Sequence, residues 1–238
     1  MDSQVSEGAE RFCQQKFKKK TKTIMSKNPD VRFVRDYLSK NPGQLHAALA
    51  VHDAWPLVRD DICKQFLEHL CKAVDDRIHK EMEGNASNWN VYCRYVGDKP
   101  WATQLFIRKG DRARYDDIAD NLNKYSYVAL ASKGLGPKGW HWGVVTPKPM
   151  NEEEEMCREN LSIALKRHGL NLAKKSDSWP QWEYLSDYQT WDIILPELVE
   201  ECKRCDGSVT KFYVDGLLDI ARRAIPAINE VEMVKEAK

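Results

Sequence analysis

The sequence predicts an α+β protein with a helical N-terminal section, a central antiparallel sheet of about four strands and a helical C-terminal section. Two changes in the spacing of apolar residues lead to this fold class. The spacing is helical up to Gly84, and from Trp89 it falls to two residues, the period of a half-buried strand. After Pro147 the helical spacing returns.

We divide the chain into a basic N-terminal arm over residues 1–27, a helical section over 28–84 and an α+β section over 85–238. The last two sections are expected to pack together as one continuous globular unit, because a chain of 238 residues can bury an ample core.

The helical section is predicted to hold three helices, over residues 30–40, over 43–53 and from Pro56 onward. A Ser-Lys-Asn-Pro sequence precedes each of the first two, and it supplies a capping side chain and a first-turn proline. The third helix has apolar side chains at helical spacing, which are Leu57, Ile62, Phe66, Leu67, Leu70, Val74 and Ile78.

Two hairpins are predicted in the central section, one pairing residues 89–95 with 101–108 and the other pairing 125–131 with 140–146. The loop of the second hairpin, residues 134–139, matches the G-x-G-x-x-G pattern of dinucleotide-binding folds. That chemistry requires the glycines to open a helix, whereas here they lead into a strand, so we interpret them as a hairpin turn.

The C-terminal section begins with a helix that Asn151 is predicted to cap. The acidic residues Glu152–Glu155 lie at its positive end and Gly169 ends it, so the four glutamates have a local explanation. Residues 185–205 hold another helix, interrupted or started at Pro196, and the last helix runs over 208–236, with Pro226 expected to kink or divide it.

Composition excludes several classes of protein. No stretch approaches the roughly 18 apolar residues of a membrane helix, so no membrane partner is expected. Seven cysteines, an odd number, predict reduced thiols and a cytoplasmic location. Cys202-Lys203-Arg204-Cys205 lacks the two further ligands of a zinc site, and we expect neither a metal nor a cofactor.

The net charge of +1 hides an uneven distribution. Residues 1–27 carry seven bases against three acids, residues 94–148 carry ten against five, and residues 149–238 carry twelve against eighteen. In the arm, candidate phosphate-binding residues are Lys18, Lys19 and Lys20. The alternative for so short a charge run is a solvated helix face.

A second basic set lies on the first predicted hairpin and just beyond it. Tyr92 and Phe106 alternate with its cations, an arrangement that suits binding of single-stranded nucleic acid or of a phosphate backbone. The candidate nucleic-acid-binding residues are Arg94, Arg108, Lys109, Arg112 and Arg114. The alternative is a solvated sheet face, or one that the acidic C-terminal helices cover.

Five of the eight tryptophans lie between Trp140 and Trp191. Large aromatic residues dominate the energetics of protein interfaces. The candidate protein-contact residues are Trp179, Trp182, Tyr184 and Trp191, with ordinary core packing as the alternative. His141 alternates with its tryptophan neighbours, so it is expected to face away from them on the surface or on an edge strand.

From Val31 onward the chain resembles the region after the catalytic core in a group of bacterial and phage proteins of the PD-(D/E)XK nuclease superfamily. The likeness rests on the helix Pro56–Glu81, the strand Trp140–Val144, the segment Ser176–Trp182 and Trp191 before a final helical pair. It implies an accessory part of a nuclease system.

The catalytic signature of that superfamily needs an Asp and an acidic-x-Lys triplet on adjacent strands, where they hold a divalent cation. Glu201-Cys202-Lys203 and Glu236-Ala237-Lys238 match the triplet, but both lie on helical or terminal segments. No catalytic residue is therefore carried over.

Together these observations predict a non-catalytic binding protein that acts through a protein–protein surface on a nucleic-acid-linked protein system, such as phage–host defence or its inhibition. A divergent metal-dependent nuclease of the PD-(D/E)XK class is one alternative. A direct DNA- or RNA-binding module that uses the basic sheet face is another. The expected partner is a protein, with nucleic acid as the second candidate.

Overall fold

The computed structural model describes residues 29–82, 88–94, 102–110, 126–132, 139–204 and 207–236. The helices are α1 (Pro29–Lys40), α2 (Pro42–Glu81), α3 (Glu152–Arg167), α4 (Leu195–Glu201) and α5 (Ser208–Glu236), with a 3-10 turn at Trp191–Ile193. The strands are β1 (Trp89–Cys93), β2 (Ala102–Lys109), β3 (Tyr127–Ser132), β4 (His141–Val145), β5 (Lys174–Ser176) and β6 (Trp179–Tyr184). None of the helices in these ranges has the length and apolar character to cross a membrane.

The predicted α+β class is confirmed, but the described sheet is larger than expected. Six antiparallel strands follow one another in the order β1-β2-β3-β4-β6-β5. The four predicted strands are present in their two hairpins, and β5 and β6 add a third at the β4 edge. Asp177 and Ser178 form its turn.

The helical section differs from the prediction at Pro56. The chain divides there into two compact units, Met1–Pro56 and Leu57–Lys238. The helix itself, however, is continuous from Pro42 to Glu81, so the prediction of separate helices over residues 43–53 and from Pro56 onward was wrong. A proline removes one backbone hydrogen bond, and the good helix formers on both sides of Pro56 sustain the helix across that loss.

The turn between α1 and α2 was predicted correctly. Asn41 lies between the helices, and its carbonyl accepts hydrogen bonds from the backbone of Gln44 and Leu45, 3.0 Å each. Its side-chain amide donates to the carbonyl of Tyr37 at 2.7 Å. The asparagine therefore ends one helix and begins the next.

In the second unit, one face of the sheet packs against helices. The apolar residues predicted for the long helix form its buried stripe, apart from the exposed Leu57 and the half-buried Ile62. Trp140 and Trp191 are both fully buried and stack with ring centroids 4.1 Å apart. The Trp191 indole N–H donates to the Tyr213 hydroxyl at 2.7 Å, which ties the 3-10 turn to α5.

The opposite face of the sheet carries a separate apolar cluster. Its buried members all belong to strands, and they are Tyr92, Phe106, Tyr127, Ala129 and Val145. Trp179 packs beside them and is only partly buried. We call this side of the sheet the aromatic face.

Helix ends follow sequence signals closely. Asn151 caps α3 as predicted, with its side-chain oxygen accepting from the Glu154 backbone at 2.9 Å. The last helix begins at Ser208 and continues to Glu236 without a division at Pro226. Its N-terminal cap comes from elsewhere in the chain, because the buried Glu201 carboxylate accepts from the backbone of Val209 and Thr210.

Candidate binding site on the aromatic face

A pocket of about 470 Å³ opens on the aromatic face where β4, β6 and β5 lie side by side. Its walls are aromatic and its rim carries hydroxyl and carboxylate groups. The lining residues are His141, Ser176, Asp177, Ser178, Trp179 and Trp182. We call it the aromatic pocket.

The strand register brings the aromatic walls together. Gly143 of β4 lies opposite Trp182 of β6, and His141 lies opposite Tyr184. Because side chains alternate along a strand, Trp182 and Tyr184 project to the side where His141 lies. A Cβ at Gly143 would lie 2.7 Å from the Trp182 Cα, so this close approach requires glycine.

The rings contact one another mainly through their edges. The His141 ring lies 5.0 Å from Trp179 and 5.3 Å from Trp182, measured between centroids. The Trp182 and Tyr184 rings are 5.2 Å apart at an interplanar angle of 81°. Edge-to-face pairs of this kind are favourable because a positive ring edge meets a negative ring face.

A cation already occupies one side of this ring cluster. Lys174 lies opposite Trp182 in the β5–β6 pair. Its ammonium nitrogen lies 4.9 Å from the Trp182 ring centroid and 4.2 Å from that of Tyr184. Both distances are within the range in which the negative face of an aromatic ring attracts a cation.

His141 faces away from its tryptophan neighbours, as predicted, but it is neither on the surface nor on an edge strand. It is only 3% exposed, and β4 lies between β3 and β6. The Nδ1 atom is 3.2 Å from the Gly139 carbonyl oxygen. Since a carbonyl can only accept, this contact places the ring proton on Nδ1.

Three of the four predicted contact residues come together at this site. Trp179, Trp182 and Tyr184 are partly exposed, whereas Trp191 is fully buried among the helices. Trp191 therefore belongs to the core, the alternative that the sequence left open. The indole nitrogen of Trp182 lies out of contact with solvent, and it has no hydrogen-bond acceptor among the described residues.

The predicted basic set does not form one surface. Arg108 lies opposite Asn90 in the β1–β2 pair, on the aromatic face, while the neighbouring Lys109 points to the helical face. The Lys109 ammonium lies 3.6 Å from the Glu232 carboxylate of α5. The acidic C-terminal third thus contacts the basic section at this position, as the alternative prediction had it.

The aromatic residues of the basic set are also covered. Tyr92 and Phe106 stack on each other, 5.6 Å between centroids, and are 7% and 2% exposed. Arg94 is exposed just after β1. The other candidates lie outside the described residues, namely Arg112, Arg114, Lys18, Lys19 and Lys20.

No metal centre is present among the described residues, where no group of three or more His, Cys, Asp or Glu side chains could hold an ion. The Glu201 carboxylate serves as the cap of α5, and Cys205 lies outside the described ranges. Burial, with a smaller contribution from the Glu201 charge, raises the pKa of the Cys202 thiol, which disfavours the reactive thiolate.

The fold and the site define an α+β protein with a six-stranded antiparallel sheet and an aromatic pocket on one face. Compared with known proteins, the chain matches no family model, no curated protein and no solved structure.

Proposed function

We propose that this protein is a non-catalytic binding protein whose aromatic pocket holds a lysine or arginine side chain of a protein partner. The observation that carries the proposal is the position of Lys174, whose ammonium lies over the rings of Trp182 and Tyr184. The ring cluster that forms the pocket wall thus already stabilises a cation from this chain, and a partner's cation would meet the same kind of surface.

The polar groups at the rim fit a basic ligand. Asp177 is the charged residue among those that line the pocket, and it is exposed between Ser176 and Ser178. The carboxylate and the oxygen atoms of the two hydroxyls can accept the hydrogen bonds that an ammonium or guanidinium group donates. Trp179 and Trp182 supply faces for the cation, and tryptophan is the most effective aromatic residue in that role.

The proposed class of partner, a protein that binds nucleic acid, rests on the resemblance to accessory regions of the PD-(D/E)XK superfamily. Proteins that bind nucleic acid carry clusters of lysine and arginine on one face. A pocket for such side chains would let this protein occupy the nucleic-acid-binding surface of a partner, which is one way to inhibit a defence system.

The test uses the full chain and two fluorescein-labelled peptides. One is rich in lysine and arginine, and the other carries glutamine and citrulline at the same positions. We expect saturable anisotropy changes with the basic peptide alone. Trp179→Ala is expected to weaken binding about tenfold, equivalent to roughly 1.4 kcal/mol. Ile193→Ala, at an apolar residue that is 78% exposed and does not line the pocket, is the control and should leave affinity unchanged.

Equal binding of both peptides, or an equal effect of Trp179→Ala and Ile193→Ala, would refute the pocket as the site. The same assay with labelled single-stranded and duplex DNA, at about 50 and 200 mM salt, tests the direct nucleic-acid module. Tight DNA binding that falls steeply with salt and ignores Trp179→Ala would favour that alternative. Cleavage of plasmid in Mg²⁺ or Mn²⁺ that EDTA abolishes would favour the nuclease.

A further inference from the structure

The N-terminal unit exposes an unusual amount of apolar surface. Seven large hydrophobic side chains between Pro29 and Pro56 are 40% to 72% exposed, and they are Phe33, Val34, Tyr37, Leu45, Leu49, Val51 and Trp55. Three pairs among them are four residues apart in the sequence, so the two members of each pair lie on the same side of their helix. Isolated apolar residues on a surface are ordinary, whereas a set this dense marks an interaction site.

The composition of α2 leads to the same conclusion. Its first fifteen residues, Pro42 to Pro56, contain one charged side chain, Asp53. A helix that faces solvent normally carries a charged face, whereas the polar side chains of this segment besides Asp53 are Gln44, His46 and His52. Alanines at positions 47, 48, 50 and 54 leave room for another helix to approach closely.

The exposed area is of the right size for a stable interface. An aromatic side chain buries about 150–250 Å² when it is fully covered. Scaled by their exposed fractions, the three aromatic side chains offer roughly 330 Å² and the four smaller aliphatic ones bring the total to about 500 Å², the larger part of the ~800 Å² that each partner contributes to an interface of standard size.

The charge of the unit favours a second copy as the occupant. Residues 29–56 carry three bases against three acids, which are Arg32, Arg35, Lys40, Asp30, Asp36 and Asp53. A surface without net charge exerts no attraction on a strongly charged partner, and it does not repel its own copy.

We propose that the exposed apolar faces of α1 and of the first part of α2 form the interface of a homodimer. This inference is independent of the aromatic pocket. We expect sedimentation equilibrium of the full chain to give twice the 27.6 kDa of the monomer. Leu49→Glu is expected to raise the dimer dissociation constant by about a hundredfold or more, because the substitution acts twice in a symmetric dimer.

Ile193→Glu is the matched control, since Ile193 is 78% exposed in the other unit, and this variant should remain dimeric. Circular dichroism of both variants establishes that the helices are retained. A wild-type chain that is monomeric at every accessible concentration would overturn the proposal, as would equal weakening by both substitutions. A monomer that co-sediments with phosphatidylcholine vesicles would overturn it too, and would assign the face to a lipid surface.

Discussion

Replacing Tyr213 with phenylalanine should destabilise the protein by breaking one buried hydrogen-bond chain. The Trp191 indole N–H donates to the Tyr213 hydroxyl at 2.7 Å, and that hydroxyl donates to the Tyr188 carbonyl at 2.8 Å. Tyr213 and Trp191 are both fully buried. Phenylalanine keeps the ring and its edge contact with Phe66, so the substitution removes the two hydrogen bonds and little else.

The magnitude follows from what each partner loses. The Trp191 N–H would be left without an acceptor in the core, and a buried unsatisfied group costs about 1–3 kcal/mol. Tyr188 is only half-buried, so water can replace the donor to its carbonyl and that loss costs about 1 kcal/mol or less. We therefore expect a loss of about 1–4 kcal/mol, a substantial share of the 5–15 kcal/mol typical of a domain.

Urea denaturation measures this change as a lower midpoint with an unaltered slope. Tyr37→Phe removes a hydroxyl from an exposed tyrosine and should change stability by less than about 0.5 kcal/mol. A Tyr213→Phe variant within about 0.5 kcal/mol of wild type would refute the reasoning, because it would mean that the indole N–H finds another partner at no cost.

The same tyrosine predicts a response to alkaline pH. Burial raises the pKa of Tyr213 above its ordinary value. A phenol whose pKa is raised by folding contributes stability that is fully present below its unfolded pKa of about 10, and that is lost as the pH rises above it. Wild-type stability should therefore fall above about pH 10, and the Tyr213→Phe variant should lose less over that range.

Three further substitutions test the fold. Gly143→Ala should cost about 2 kcal/mol or more because a Cβ would collide with β6; a normal urea midpoint would refute this. Glu201→Ala should cost about 2–4 kcal/mol by leaving two buried donors at the start of α5 without an acceptor, while Glu201→Gln, whose one side-chain oxygen can accept only one of the two bonds, should cost less; equal losses would contradict the capping role. Hydrogen bonds from Arg77 lower the pKa of Glu81, and those from a neighbouring lysine and Arg77 lower that of Asp215. Stability should therefore fall as the pH drops below about 4, and an unchanged acid limb in Arg77→Gln would exclude this pairing.

The sequence predicted elements whose signal is local and periodic. β1 has apolar residues at alternate positions and β3 is a short apolar run, and the α3 cap needs only Asn151 and the residues that follow it. β5 has three exposed residues and β6 contains Pro180, so turn-forming residues concealed that hairpin. The alternation of Trp182 and Tyr184 with polar neighbours was the signal that could have revealed it.

The site was predictable in its residue types and not in its geometry. The concentration of tryptophans indicated an aromatic cluster, but the tryptophans pack on both sides of the sheet. Trp191 packs into the helical core, while Trp179 and Trp182 line the pocket with His141. Which face a residue occupies depends on the pairing of β4 with β6, between strands that are separated by α3 and β5 in the chain. No local pattern encodes that pairing.

The two proposals together predict bivalent binding. A homodimer carries two aromatic pockets, and a partner with two basic segments can engage both, which raises its apparent affinity without any new contact. Peptides with two basic segments joined by Gly-Ser linkers of increasing length should therefore bind the wild-type chain more tightly than single-segment peptides, over a limited range of linker lengths. Leu49→Glu should abolish that gain and keep the affinity for the single segment, whereas Trp179→Ala should weaken both. A gain that persists in monomeric Leu49→Glu would mean that one chain holds both segments, and would separate the binding of basic peptides from dimerisation.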